Sequence, residues 1–114
     1  MKLGLIVNVY GFLGEAKMTT LSVEEILKVF DFRKVARPHV EEWNAFYNDI
    51  QRQTQTWEKM TEEQKTGMNK ALEAEFEKDV EIKFDKLSRE SVAGLVKENG
   101  LKPREAEMMG LMAE

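Results

Sequence analysis

One histidine and many carboxylates are the side chains of this 114-residue chain that could carry out catalysis or bind a metal. His39 lies three residues before Glu42, so both would share one face of a helix. Such a pair could form one edge of a metal site, but the sequence has no second histidine and no cysteine to complete it. We therefore expect His39 to be a surface residue rather than a metal ligand or the base of a serine triad.

Acidic pairs recur along the chain, and paired carboxylates can act as general acid and base or bind divalent cations. These pairs are interleaved with lysines in helical patterns, which is typical of solvated helix faces. The sequence has neither a calcium-binding loop nor a glycine-rich phosphate loop. We therefore predict a protein that is not an enzyme, with no catalytic residue, cofactor, metal or small-molecule substrate. The residues that form the acidic pairs are Glu24, Glu25, Glu41, Glu42, Glu62 and Glu63.

Aromatic residues form a second pattern, in which Trp43, Phe46, Tyr47 and Trp57 follow one stripe of a predicted helix. Facing inward, they would fill the seam between two long helices. Facing outward, they would form a hot spot for a partner protein, since tryptophan and tyrosine dominate such sites. Adjacent side chains on a helix differ by about 100° in direction, so we expect Phe46 or Tyr47 to lie outside the seam. These four aromatic residues are our candidate partner-binding site.

Basic residues are outnumbered, and the net charge is −4 with a pI of about 5.2. Arg33, Lys34, Arg37 and His39 form the one basic cluster, which could meet an RNA or an acidic protein surface. The alternative is that nearby glutamates balance it as ordinary surface charge. An acidic chain is repelled by phosphate backbones, so we do not expect nucleic-acid binding.

Residues 88–112 resemble a helix-turn-helix, with a short helix, a turn at Gly100 and a second helix beginning near Pro103. Such a motif places its second helix in the DNA major groove. Here the second helix has one arginine against three glutamates, which disfavours contact with phosphates. Its methionines are more typical of core packing or of an adaptable protein contact.

Hydrophobic spacing predicts the elements that must position these side chains. Over residues 3–16 it favours a short helix, although three glycines weaken a helix by about 1 kcal/mol each and a buried strand is the alternative. Over residues 23–57 it predicts one long amphipathic helix. Because Pro38 lacks an amide hydrogen and clashes with the carbonyl four residues earlier, we expect that helix to kink or break near Arg37.

Two capping boxes, at residues 22–25 and 61–64, mark where the long helix and a third helix begin. The third helix, over residues 62–79, follows so closely that we predict an antiparallel hairpin with the long helix. Alternating apolar and charged residues at 80–84 predict a short strand or extended segment. Its mate would be part of the N-terminal segment or a second copy of the chain.

Length and composition agree with one mainly α domain over residues 1–114. Apolar residues make up 42% of the chain, enough for a hydrophobic core without metal or disulfide support. The absence of cysteine excludes disulfides and fits a reducing compartment, so we expect a cytoplasmic protein. Polar residues interrupt the N-terminal apolar run, which disfavours a secretory signal, and no run approaches the ~20 apolar residues of a membrane span.

Three segments carry a resemblance to a family of small bacteriophage and prophage proteins encoded among tail or late structural genes. They are Arg-Pro-His-Val-Glu-Glu-Trp-Asn at 37–44, Asp-Val-Glu-Ile at 79–82 and Gly-Leu-Lys-Pro-Arg-Glu-Ala-Glu-Met-Met at 100–109. The glycines of the first segment depart from the family pattern. The resemblance implies a viral context and a binding role, and it carries over no catalytic residue.

Together these patterns predict a non-enzymatic protein–protein interaction module, with two alternatives beside it. The first hypothesis is a phage or prophage accessory or assembly protein, which could also associate with itself as an oligomer. The second, from a different functional class, is a DNA-binding regulator that uses residues 88–112 in place of a protein-binding surface. The third is a phage-encoded inhibitor of a host protein, a role that suits a small acidic chain without cysteine.

Overall fold

The computed structural model describes residues 1–53 and 58–114, and it confirms that the chain is mainly α-helical. The described helices are, in chain order, α1 (Leu3–Glu15), α2 (Val23–Gln53), α3 (Glu62–Phe76), α4 (Arg89–Glu98) and α5 (Pro103–Met108). A 3₁₀ turn, Met109–Met112, follows α5 directly. The end predicted for the long helix at residue 57 lies outside the described residues.

The centre of the hydrophobic core lies between α1 and α2. The first segment is a helix, as the spacing of its apolar residues favours, because those residues meet a matching face on α2. Burial of each large apolar side chain contributes about 1.5–3 kcal/mol, which outweighs the cost of the glycines in α1. The two faces consist of Leu3, Ile6, Val9 and Leu13 from α1 and Val29, Phe32, Ala36 and Val40 from α2.

Pro38 does not break the long helix, because α2 runs continuously from Val23 to Gln53. Ala36 and Val40, on either side of the proline, are both buried in the core. Packing on both sides thus keeps the backbone helical where the proline ring removes one hydrogen bond. The break that we considered near Arg37 is therefore wrong, and the kink stays a prediction.

The predicted hairpin is formed by α3, which returns along α2 in the opposite direction. Thr61 caps α3 with both hydrogen bonds of a capping box: its hydroxyl accepts from the Gln64 amide, and the Gln64 side chain accepts from the Thr61 amide. The helix ends at Phe76, three residues before the predicted end, and the Phe76 ring contacts Trp43 of α2. No described residue of α3 is fully buried, so α1 rather than α3 covers the apolar face of α2.

Gly4 allows the start of α1 to approach the end of α3. A Cβ atom at this position would lie 2.3 Å from two ring carbons of Phe76, a distance at which atoms overlap. Glycine is therefore required here by close packing against an aromatic ring and not by its backbone freedom. Gly11, on the same helix, has no neighbour within 4 Å of the corresponding position.

The segment over residues 80–84 has no regular secondary structure and does not form the predicted strand. The Val80 amide donates to the Met1 carbonyl at 2.7 Å, and the terminal amine of Met1 donates to the Val80 carbonyl at 3.2 Å. The N-terminal segment is thus the mate, and it joins α1 at Leu3 directly after this pairing. The predicted alternation holds, since Val80 is buried, Ile82 and Phe84 are partly buried, and the charged residues between them are exposed.

An isolated β-bridge ties the other end of the chain to the core. Leu87, which is fully buried, pairs in parallel with Ala113. The Leu87 amide donates to the Met112 carbonyl at 2.7 Å, and the Glu114 amide donates to the Leu87 carbonyl at 2.9 Å. Both chain ends are therefore held by the segment that links α3 to α4.

The last helices follow the local signals of the sequence. Ser88 accepts a hydrogen bond from the Ser91 amide at 3.2 Å and caps α4. Gly100 has a φ of +58°, and the amides of Gly100 and Leu101 donate back to carbonyls of the last turn, which is a Schellman ending. Pro103 opens α5, which has six residues, and the 3₁₀ turn buries Met109 and Met112. Core packing is thus the role of these two methionines.

The end of α4 holds the loop between α1 and α2. The Glu98 carboxylate accepts hydrogen bonds from the backbone amides and hydroxyls of Thr19 and Thr20. The Asn99 side chain accepts from the Lys17 amide at 2.8 Å and donates to the Lys17 carbonyl at 3.0 Å. Bonds from Thr19, first its hydroxyl, lower the pKa of Glu98 from its usual 4.5, because they favour the charged carboxylate.

We predict opposite effects on stability from two glycine substitutions in α1. Gly4→Ala forces the Phe76 ring to move and should lower the free energy of unfolding by about 1–3 kcal/mol. Gly11→Ala is the matched control, since it meets no neighbour and should raise stability by up to about 1 kcal/mol. Urea unfolding followed by circular dichroism measures both. Equal effects of the two substitutions would contradict the close approach of α3 to Gly4.

We predict that Glu98→Gln removes a pH-dependent part of the stability. The folded-state pKa of Glu98 is lowered, so its contribution is present above the unfolded pKa and is lost as the pH falls through the folded pKa. The variant should therefore be less stable than the wild type at pH 7, and the difference should shrink below about pH 4.5. Glu105→Gln on α5 is the control. Unfolding midpoints from pH 7 to pH 3 test this, and a constant difference would contradict it.

Candidate functional site

An apolar groove of about 410 Å³ lies between α2 and α3. Helical spacing of four brings Trp43 and Tyr47 of α2 to one side of it and Leu72 and Phe76 of α3 to the other. The groove stays open because α3 contacts α2 through partly buried side chains and buries none of them fully. Two exposed carboxylates, Glu73 and Glu77, complete its lining.

The structure gives different positions to the three predicted aromatic residues that it describes, Trp43, Phe46 and Tyr47. Trp43 is partly buried, and its ring centroid lies 4.9 Å from that of Phe76, so it fills the seam between the helices. Tyr47 is 41% exposed and lines the groove, with its ring 6.1 Å from Trp43. Phe46 contacts Trp43 at 6.2 Å but does not line the groove. Trp57 lies outside the described residues.

The α3 side of the groove was not among the predicted site residues. Leu72 and Phe76 are four residues apart, a spacing visible in the sequence but there indistinguishable from ordinary core packing. Their place in the groove depends on how α3 lies against α2, which no local pattern shows.

The electrostatics of the groove are set by its two glutamates. Glu77 forms an ion pair with Lys2, and its hydrogen bond to the ammonium raises the pKa of Lys2. Glu73 forms no ion pair with any residue in the described ranges. The groove therefore presents apolar walls with one unpaired negative charge beside them.

The residues considered for metal chemistry do not converge. His39 is partly buried, and Glu42 is exposed on the same helix. Within residues 1–53 and 58–114, no group of three or more histidine, aspartate or glutamate residues is placed to hold a metal ion.

The basic cluster divides between an intramolecular contact and solvent. The Arg33 guanidinium lies 4.4 Å from the ring centroid of Tyr10, and Arg37 Nε donates to the Tyr10 hydroxyl at 3.4 Å. Both arginines thus bind α1 to α2, and the hydrogen bond to Tyr10 raises the pKa of Arg37. Lys34 is exposed.

The helix-turn-helix interpretation depends on α5, which is short and packed against α1. Its six residues make less than two turns, and Met108 and Met109 lie with Val9 and Phe12 of α1 around a small cavity of about 20 Å³. In the part of the chain that the structure describes, no helix is both long and apolar enough to cross a bilayer.

We predict that Trp43 and Tyr47 differ sharply in their effect on stability. Trp43→Ala removes a ring that contacts three aromatic neighbours and should cost about 3 kcal/mol. Tyr47→Ala removes a ring that is 41% exposed and should cost less than about 1 kcal/mol. Urea unfolding compares them. Similar costs would show that Tyr47 belongs to the seam and is not available to a partner.

Comparison with known proteins found no match to this chain. No family model matches the chain, and neither a curated protein nor a solved structure matches it. The resemblance to bacteriophage proteins therefore stays a prediction.

Proposed function

We propose that this chain is a non-enzymatic protein–protein interaction module whose groove between α2 and α3 binds a basic amphipathic helix of a partner protein. The observation that carries the proposal is the half-exposed Tyr47 ring beside an open apolar groove. Tyrosine and tryptophan are the side chains that contribute most to binding energy at protein interfaces.

The shape of the groove supports a helical ligand. Its walls are two helices, and its apolar residues are spaced by four along each, as in grooves that receive the apolar face of an amphipathic helix. Each large apolar side chain of the ligand that is buried there would contribute about 1.5–3 kcal/mol. Trp43, held by Phe76, provides a rigid floor and needs little ordering upon binding.

Charge supports a basic ligand. Glu73 forms no ion pair within the described ranges, and the chain as a whole carries a net charge of −4. A lysine or arginine beside the apolar face of the ligand would complement Glu73 and increase the rate of association.

We further propose a phage or prophage assembly as the setting, supported by the resemblance of residues 37–44, 79–82 and 100–109. Inhibition of a host protein uses the same kind of surface and stays an alternative. The DNA-binding alternative has less support, because α5 is short and carries one arginine with two glutamates.

We predict that the groove binds a labelled probe peptide of about 14 residues with leucines on one helical face and lysines on the other. Fluorescence anisotropy should show binding of this peptide and at least about tenfold weaker binding of a leucine–glutamate peptide of equal length. Tyr47→Ala should raise the dissociation constant by about tenfold, because it removes the main exposed contact. Glu73→Lys should raise it by about threefold, as expected for an exposed charge.

The control for the charge change is Glu107→Lys, which alters the net charge equally but lies on α5 and does not line the groove. It should leave the affinity within about twofold of the wild type. If Tyr47→Ala, Glu73→Lys and Glu107→Lys all bind alike, the peptide is attracted by net charge alone and the proposed groove is wrong.

A further inference from the structure

A second apolar surface lies on the first half of α2, away from the groove. Val23, Leu27 and Phe30 are 74%, 56% and 53% exposed, although each is a large hydrophobic residue. They are spaced by four and three, which places them in one line along the helix. We call these three residues the outer stripe. Large apolar side chains exposed together mark a contact surface more often than isolated ones do.

The outer stripe faces away from the core. Val29, Phe32 and Ala36 of the same helix are fully buried, and they lie on the opposite side of α2 from Leu27 and Phe30. The other elements are gathered on that buried side, because the core includes residues of α1, α4 and the last 3₁₀ turn. No element in residues 1–53 and 58–114 covers the outer stripe.

Charges at the two ends of the outer stripe have opposite sign. Glu24 lies in the first turn beside Val23, and Lys34 continues the line one turn beyond Phe30. Both are exposed, and neither forms an ion pair with another residue in the described ranges. The outer stripe therefore has a carboxylate near its first end and an ammonium at its second, and a further exposed carboxylate, Asp31, lies one turn beyond Leu27.

We propose that the occupant is a second copy of this chain, with its α2 packed antiparallel on the first. A two-fold axis between positions 28 and 29 places Leu27 opposite the second copy's Phe30 and Lys34 beside the second copy's Glu24. The symmetry repeats both contacts, so the dimer forms two apolar pairs and two ion pairs from one surface. A parallel arrangement in register would instead place equal charges together.

The contact extends beyond the outer stripe to reach the size of a stable interface. About 800 Å² per partner is typical, and three side chains alone supply less than that. Lys34 also lines an open cleft of about 470 Å³ whose wall mixes apolar and charged side chains. The other lining residues are Asp31, Val35, Lys83, Phe84 and Asp85. This cleft lies on the flank of the proposed contact and enlarges it. We therefore expect a weak dimer, with a dissociation constant on the order of 10 µM.

The dimer does not depend on the proposed groove. Tyr47 is 20 residues beyond Leu27, which corresponds to about 30 Å along a helix. Either surface can therefore fail in experiment while the other is upheld.

Sedimentation velocity of the full chain at low ionic strength, from about 5 to 500 µM, tests the dimer. The wild type should shift from monomer to dimer across this range. Leu27→Glu should remain monomeric at 500 µM, and because Leu27 is more than half exposed, its circular dichroism spectrum should stay unchanged. Tyr47→Glu is the matched control, an exposed residue of the same helix outside the contact, and it should dimerise like the wild type. A wild type that stays monomeric throughout overturns the proposal, as does a Leu27→Glu variant that dimerises normally.

The antiparallel arrangement is tested by exchange of the two end charges. Glu24→Lys and Lys34→Glu should each raise the dissociation constant of the dimer by about tenfold. The double variant restores the complementary pair and should return to within about threefold of the wild type. If the double variant is weaker than either single variant, the antiparallel contact is wrong.

Discussion

Burial of the apolar face of α1 against α2 is the interaction on which the rest of the structure depends. α2 is a 31-residue helix with charged residues around most of its surface, and α1 covers the middle of its apolar stripe. The residues buried at this contact come from two consecutive helices, and their burial packs α1 against α2. Tyr10 extends the contact at its polar margin, because its ring contacts Arg33 and its hydroxyl accepts a hydrogen bond from Arg37.

Because α1 occupies the apolar face of α2, α3 does not pack against that face and has no fully buried residue. It reaches the core at its end, where Phe76 lies between Trp43 and Gly4, and the rest of its length is only partly buried. An open groove beside Trp43 follows directly from this geometry. The same constraint leaves Val23, Leu27 and Phe30 outside, since α1 can cover only one side of a helix.

Polar contacts in this protein orient elements that the core has already brought together. Glu98 and Asn99 bind the loop that joins α1 to α2, and Val80 and Leu87 bind the two chain ends. Most of these bonds are exposed, and exposed hydrogen bonds contribute less to stability than apolar burial does. Their effect is to determine where α4 and the termini lie relative to the α1–α2 pair.

Local chemistry in the sequence determined where the helices lie and how most of them begin and end. Apolar spacing indicated α1, α2 and α3, and the caps at Thr61, Ser88 and Gly100 act through atoms within a few residues of themselves. Only the tertiary structure decided three features. Residues 80–84 do not form a strand, α2 continues through Pro38, and Phe46 lies outside the groove. Each depends on contacts with distant segments: Val80 pairs with Met1, and the core on both sides of Pro38 holds the helix together. The place of Leu72 and Phe76 in the groove was also decided by the tertiary structure. Packing, and not position in the chain, determines which residues of another helix a side chain meets.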